Sequence, residues 1–284
     1  MSVILSGKEV AEALKESLIK EVSELKGKGY TPCLKIVIVG DRPDSVAYIK
    51  GALKRCSEIG IEASVLELPG DISEQEFIKK IHELNNDESV NGMLIMRPLP
   101  SQISEDRVKY EISPEKDLDC FSPINVAKVM AGEKEGFPPC TPQAVIEILD
   151  HFKIDPAGKK VAVVGRSMVV GRPLAMMLLQ RNATVTICHS KTKDLAEETK
   201  RAEILIAAVG KAKMVKKDMV GEGAVVIDVG INVDENGKLC GDVDFDDVKD
   251  KVAMITPVPG GVGSVTTTVL AKHVIKALKQ QKSL

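Results

Sequence analysis

The stretch Val161-Ala-Val-Val-Gly165-Arg-Ser167-Met-Val-Val-Gly171-Arg-Pro173 constrains the fold more than any other part of the chain. A short β-branched apolar run meets a tight turn, and a helix-like run from Leu174 to Leu179 follows at once. That order of strand, turn and helix is the phosphate-binding crossover of dinucleotide-binding sheets. Gly165 permits a sharp turn, and the small Ser167 lets a diphosphate approach the backbone. The helix start offers free N–H groups and a partial positive charge to an anion. The spacing departs from the G-x-G-x-x-G fingerprint. Ser167 stands at the second glycine and Gly171 comes one position late, so an ordinary tight turn remains an alternative.

The next strand narrows the cofactor. Ala183-Thr-Val-Thr-Ile-Cys188 is β-prone and runs into His189-Ser190-Lys191-Thr192. In this class of fold the end of the second strand faces the adenine ribose, and an NAD site usually carries Asp or Glu there. This end carries no acid. His189, Ser190 and Lys191, with Arg166 in the neighbouring turn, suit a 2′-phosphate, so the reading is NADP. A polar loop that happens to be basic is the plainer alternative.

At 284 residues the chain has room for about two domains. A net charge of −2 with no basic tract argues against nucleic acid, and aromatic residues at 3% with no Trp argue against a base-stacking surface. No apolar run approaches the ~20 residues of a membrane span, and the N-terminal apolar stretch is too short for a signal peptide. Cys33, Cys56, Cys120, Cys140, Cys188 and Cys240 are scattered without a C-x-x-C pair. That pattern predicts free thiols in a reducing cytoplasm, and no metal site.

Periodicity predicts a helix over 8–27, strands at 34–39, 61–68 and 92–96, and helices at 45–59 and 73–86 between them. Short helices are expected at 106–110 and 123–131. After the stiff Pro138-Pro-Cys-Thr-Pro142, a helix at 142–152 leads to strands at 160–164, 183–188, 203–208 and 224–229, and a final helix runs from about Thr266. This alternation predicts an α/β protein with parallel sheets and helices on their faces.

Five segments occur in one order: Gly40-Asp with Tyr48, Pro98-Leu-Pro100, Lys116-Asp-Leu-Asp119, Pro139-Cys-Thr-Pro142 with Gly165-Arg-Ser167, and Thr256-Pro-Val-Pro-Gly-Gly-Val-Gly263. Over essentially its whole length the chain resembles the methylenetetrahydrofolate dehydrogenase/cyclohydrolase family. The resemblance implies a folate-binding domain at 1–138 and 266–284, completed by the returning C-terminal helix. It implies a Rossmann-like NADP domain at 139–265, a cleft between the two, and a homodimer. It also implies oxidation of 5,10-methylenetetrahydrofolate with NADP, followed in many members by hydrolysis of the methenyl cation to 10-formyltetrahydrofolate.

By the same resemblance Tyr48 is catalytic and lines the folate pocket, and Asp119 binds the pterin N–H groups. A carboxylate accepts two adjacent donors, which fits a 2-aminopyrimidinone edge. The neighbouring Asp117 is the alternative, and the position just ahead of Phe121 favours Asp119. Pro259, Gly260, Gly261 and Val262 would wall the substrate. Gly165, Arg166, Ser167, Gly171, His189 and Ser190 would hold the cofactor, with Ile231 near the nicotinamide.

Four positions depart from the family. Cys120 stands where Gly is usual and Ser264 where Pro is usual. The family's Tyr-x-x-x-Lys lysine is Ala52, and its Gln before Pro-Leu-Pro is Met96. Lys50 and Lys54 flank Ala52, but at about 100° per residue they point away from the Tyr48 face. Hydride transfer asks the protein mainly to position reactants, whereas hydrolysis asks it to activate water and move protons. The expectation is an NADP-linked dehydrogenase with weak or lost cyclohydrolase activity. The alternatives are the ordinary bifunctional enzyme, with Lys50 or Lys54 reaching the site through a distorted helix, and a non-catalytic dinucleotide-binding regulatory protein.

Overall fold

The computed structural model describes residues 2–284. From the N-terminus, β1 (Val3–Ile4) leads into α1 (Gly7–Gly27), β2 (Cys33–Val39), α2 (Pro43–Ile59), β3 (Glu62–Leu68), α3 (Glu74–Asn86) and β4 (Gly92–Ile95). Two short helices, α4 (Glu105–Val108) and α5 (Pro123–Ala131), precede α6 (Cys140–His151), β5 (Lys160–Val164), α7 (Gly171–Gln180), β6 (Thr184–Cys188), α8 (Leu195–Lys200), β7 (Ile204–Ala207) and β8 (Val225–Asp228). The hairpin β9 (Asn232–Val233) and β10 (Leu239–Cys240) is followed by α9 (Phe245–Val248), β11 (Met254–Ile255) and α10 (Thr266–Lys282).

The chain divides into two compact units, each made of two stretches of sequence. One comprises Ala13–Cys140 with Thr267–Leu284, the other Met1–Glu12 with Thr141–Thr266. In the first, three parallel strands lie in the order β3-β2-β4. β2 is a near-continuous apolar run, as a strand covered on both faces must be, and Leu34, Ile36 and Val37 are fully buried. Helix α3 starts with a complete capping box, Ser73 accepting from the Glu76 amide and Glu76 reaching back. The Lys116–Leu118 segment runs alongside β4, with the Met93 amide donating to the Lys116 carbonyl at 2.7 Å. A Cβ on Gly92 would overlap the Leu118 side chain, so only glycine admits this close approach.

The second unit carries six parallel strands in the order β1-β11-β8-β7-β5-β6, a Rossmann-like sheet. Residues 2–12, which the sequence places with the first domain, pack with this sheet. Val3 and Ile4 pair with Met254 and Ile255, and the Leu5 amide donates to the Ile255 carbonyl at 2.8 Å. Leu5 is buried in consequence. A two-residue strand is too short to leave a periodic signal, and β11 and the β9–β10 hairpin escape detection for the same reason.

Candidate active site

In the Rossmann-like unit, β5 delivers the chain into the glycine turn. Gly165 has φ +132°, and a Cβ there would overlap the Ala208 carbonyl oxygen. A Cβ on Gly171 would overlap the Gly165 carbonyl, so the start of α7 packs directly on the turn. The displaced glycine therefore does the helix-packing work of the third fingerprint position. Ser167 takes a further role, its hydroxyl accepting from the Val170 amide at 3.0 Å and closing the turn. Arg166 is exposed beside it.

β6 lies next to β5, with Val164 opposite Cys188. Two residues beyond that pair, Arg166 and Ser190 leave the same edge of the sheet. His189 to Thr192 forms a tight turn in which the His189 amide donates to Thr192 Oγ1 at 2.8 Å and the Lys191 amide to His189 Nδ1 at 3.2 Å. Ser190 and Lys191 are exposed, and His189 is half-buried. The turn held between Gly165 and Gly171, the lack of an acid and the exposed cations Arg166 and Lys191 fit a dinucleotide with a phosphorylated ribose.

Two buried carboxylates that sequence reasoning missed hold the same edge together. Asp228, at the end of β8, accepts from the amides of Gly230 and Asp242 at 3.0 Å and Val243 at 2.9 Å, and burial pushes its pKa up to about 6. Asp242 accepts from the Val209, Gly210 and Lys211 amides at 2.6, 3.1 and 2.8 Å and from Asn232 Nδ2 at 3.0 Å. The available signal was an Asp following an apolar strand and preceding Val-Gly, and a second Asp after Cys240-Gly. Beyond this network Ile231 stands 65% exposed, with its Cδ1 close to the backbone of Gly263.

The glycine-rich segment is constrained by its own unit. Gly260 has φ +103°, its carbonyl accepts from the Gly7 amide at 2.9 Å, and a Cβ on Gly7 would overlap the Gly261 carbonyl. Val262 is buried in the 3₁₀ turn Val262–Ser264, which also contains Ser264, so its side chain is packing rather than wall. Pro259 follows a cis peptide bond.

In the three-stranded unit, α2 presents Tyr48, half-buried. Burial, with Cys140, Asp119 and Cys56 nearby, holds its phenol well above the ordinary tyrosine range. The two aspartates divide cleanly. Asp117 is buried and spent on the fold. Its oxygens accept from the Phe121 amide at 3.0 Å, the Ser122 amide at 2.8 Å and Asn125 Nδ2 at 2.9 Å. Asp119 is less buried and accepts the Cys140 amide at 2.7 Å through Oδ1. A carboxylate offers about four lone-pair sites, so capacity remains for a ligand. Burial raises the Asp119 pKa, opposed by the Cys140 amide and by Arg97, with which it shares a small recess lined also by Met93, Ile95, Ile112, Phe121 and the Asp117 carboxylate.

Helix α10 supports this loop from behind. The buried ring of His273 donates from Nδ1 to the Leu118 carbonyl at 2.9 Å, and burial lowers its pKa to about 4, so it stays neutral. Cys120 has φ +58°, the left-handed region that glycine occupies without penalty. The backbone keeps that conformation with a buried thiol beside it.

Two family models match the chain. The tetrahydrofolate dehydrogenase/cyclohydrolase catalytic domain matches residues 5–119, and the NAD(P)-binding domain of the same family matches residues 139–282. The chain belongs to the tetrahydrofolate dehydrogenase/cyclohydrolase family. The bifunctional protein FolD of Alkaliphilus oremlandii is 58% identical over 284 residues, the full length of both chains. The crystal structure of the bifunctional FolD enzyme of Campylobacter jejuni matches at TM-score 0.96 and 43% identity, covering 99% of this chain and all of that one. A Trypanosoma brucei FolD complexed with NADP cofactor and inhibitor matches at TM-score 0.93 and 34% identity, covering all of this chain and 99% of that one.

Within this family frame the departures can be located. Ala52 lies one turn beyond Tyr48 on α2 and is fully buried, so that position offers a methyl group only. Met96 follows β4, its amide donating to the Val37 carbonyl at 2.9 Å. Both nearby lysines are exposed. α2 runs unbroken from Pro43 to Ile59, Lys50 is exposed, and Lys54 is 79% exposed at its side chain, 3.9 Å from Glu58. The helix distortion considered for a rescue is absent.

Proposed function

We propose that this protein oxidises 5,10-methylenetetrahydrofolate to the methenyl compound with NADP and, as the names of its relatives favour, hydrolyses the product to 10-formyltetrahydrofolate. The observations that carry the first activity are the close-packed glycine turn at Gly165 in one unit and, in the other, an aspartate, Asp119, that retains acceptor capacity beside Tyr48. NADP, when bound, supplies the hydride acceptor. Gly165, Ser167 and Gly171 leave room for the diphosphate, and Arg166 with Ser190 receives the 2′-phosphate. Asp119 orients the pterin, and Tyr48 packs beside it. Ile231, exposed next to the Gly260–Gly263 segment, borders the nicotinamide. The substrate's ring nitrogens stabilise the cation as hydride leaves, so no side chain must take a proton in that step.

A second reading has one specific observation behind it: the buried Ala52 and the half-buried Met96 offer Tyr48 neither an ammonium nor an amide partner. On that reading the protein is a dehydrogenase whose hydrolytic step is slow. Purified protein with methylenetetrahydrofolate and NADP separates the two when reduced cofactor and methenyl product are followed together. Matched formation of NADPH and 10-formyltetrahydrofolate supports the bifunctional enzyme, and accumulating methenyl compound supports the second reading. No reduction of NADP removes both and restores the regulatory alternative.

The cofactor assignment has its own test. Arg166→Ala is expected to weaken NADP about tenfold or more, the size of one lost charge-assisted contact of ~1.5–3 kcal/mol, and to leave NAD nearly unchanged. Calorimetry with both nucleotides reads this directly. Equal losses would mean that Arg166 does not meet the 2′-phosphate.

A further inference from the structure

Arg97 is the residue in the Asp119 recess that neither the family pattern nor the fold accounts for. It directly follows β4 and Met96, and its guanidinium lies over the Phe121 ring, 4.3 Å from the centroid. Its side chain is only 24% exposed. The neighbouring carboxylate is a poor partner: Glu105 Oε2 is 3.9 Å from Nη1, beyond hydrogen-bond range, and Glu105 Oε1 is taken by the Leu99 amide at 2.9 Å. Among the described residues the guanidinium donates no hydrogen bond. Stacking on an aromatic face leaves the in-plane N–H groups free, and a planar fork is pre-organised to donate along its edge.

A recess that offers a carboxylate acceptor beside uncommitted guanidinium donors matches one kind of ligand edge, with donors followed by an acceptor. The 2-amino-4-oxo edge of a reduced pterin presents an amino group, a ring N–H and a carbonyl in that order. With the two donors on Asp119, the carbonyl is next in line. We propose that Arg97 donates a hydrogen bond to the 4-oxo oxygen of the bound pterin and so makes this site select a 4-oxo ring over a 4-amino ring. The inference rests on the reading above that Asp119 holds the pterin. A 4-amino ring would turn N–H donors toward the guanidinium and an unprotonated ring nitrogen toward Asp119, so Arg97 and Asp119 would each reject part of the wrong analogue.

The test is calorimetric binding of tetrahydrofolate and its 4-amino-4-deoxy counterpart to the full-length protein and its variants. The wild-type protein is expected to prefer the 4-oxo ligand about tenfold or more. Arg97→Leu should narrow the ratio severalfold by weakening the 4-oxo ligand, the remaining preference coming from Asp119, which faces an unprotonated ring nitrogen in the 4-amino ligand, and Arg97→Lys should keep more of it. If Arg97→Leu does not fold, Arg97→Gln is read the same way. A variant that weakens both ligands equally would mean that Arg97 only packs on Phe121, and an unchanged ratio would mean that it does not meet the ring edge. Either overturns the proposal. Asp119→Ala separates the two levels. If it leaves both affinities intact, the underlying reading of the recess fails. If it weakens both while Arg97→Leu preserves the ratio, only the Arg97 inference fails.

Discussion

Asp119→Ala is expected to raise the KM for methylenetetrahydrofolate by about a hundredfold. Two pterin donors lose a charged acceptor, each such bond contributing ~1.5–3 kcal/mol. NADP affinity, which depends on the other unit, should be unchanged. The binding also carries a pH signature. Arg97, Asp117, Cys120, Cys140 and Tyr48 surround the Asp119 carboxyl, and burial is the largest influence, raising its pKa. The ionised form is the acceptor, so folate affinity falls as pH drops through that raised pKa. Asp117→Ala should behave differently. It removes the acceptor of two amides and Asn125, leaving buried donors unpaired. Its main effect belongs in the melting temperature. A steady-state titration and a thermal melt on both variants distinguish the roles. If Asp117→Ala gives the larger KM change, the two carboxylates have been exchanged.

The second large effect concerns hydrolysis. On the second reading, in which hydrolysis is slow, the double substitution Ala52→Lys with Met96→Gln is expected to raise methenyltetrahydrofolate hydrolysis by ~10²-fold, the lower end of what a placed acid/base group supplies; on the bifunctional reading it adds little. Ala52→Lys alone should give much less, because a desolvated ammonium needs a polar partner to hold and tune it. The oxidation step should change little. Some stability will be lost, since a lysine replaces a methyl group at a fully buried site. Loss of methenyl absorbance after rapid mixing measures the step. If the wild-type protein already hydrolyses far above the spontaneous rate and the double variant adds nothing, another group activates the water. Lys54→Ala checks the nearest candidate, and its exposed pairing with Glu58 predicts no effect.

How much of this was legible before the structure depends on how far each signal is local. β2, β5 and β8 announce themselves as buried apolar runs, and α3 through its capping box, because those features are written in adjacent residues. Gly165 was legible for the same reason. The displaced Gly171 was less so. Its role depends on the contact between the α7 backbone and the preceding turn, which spacing does not specify. Asp117 and Asp119 look alike in sequence, and the difference lies in which amides fold back onto them. Asp228 and Asp242 were invisible as a pair because their partners come from three separate loops. Arg97 was passed over because it follows the more conspicuous Met96. The placement of β1 could not be read, since a two-residue strand has no period and its partner lies at the far end of the chain.

That last pairing has a consequence for how the molecule is made. Val3 and Ile4 find their partners only at Met254 and Ile255, and the unit built on β2–β4 is completed only by residues from Thr267 onward, where Lys279 pairs with Glu21. Neither unit is a continuous piece of chain, so neither can close while most of the polypeptide is still being synthesised. Closing so long a loop is entropically slow even though its cost grows only logarithmically with length. The usual order, in which the N-terminal domain folds first and waits for the next, is not open to this chain. The six-stranded sheet must stand incomplete until β11 emerges, and the three-stranded unit until the last helix does.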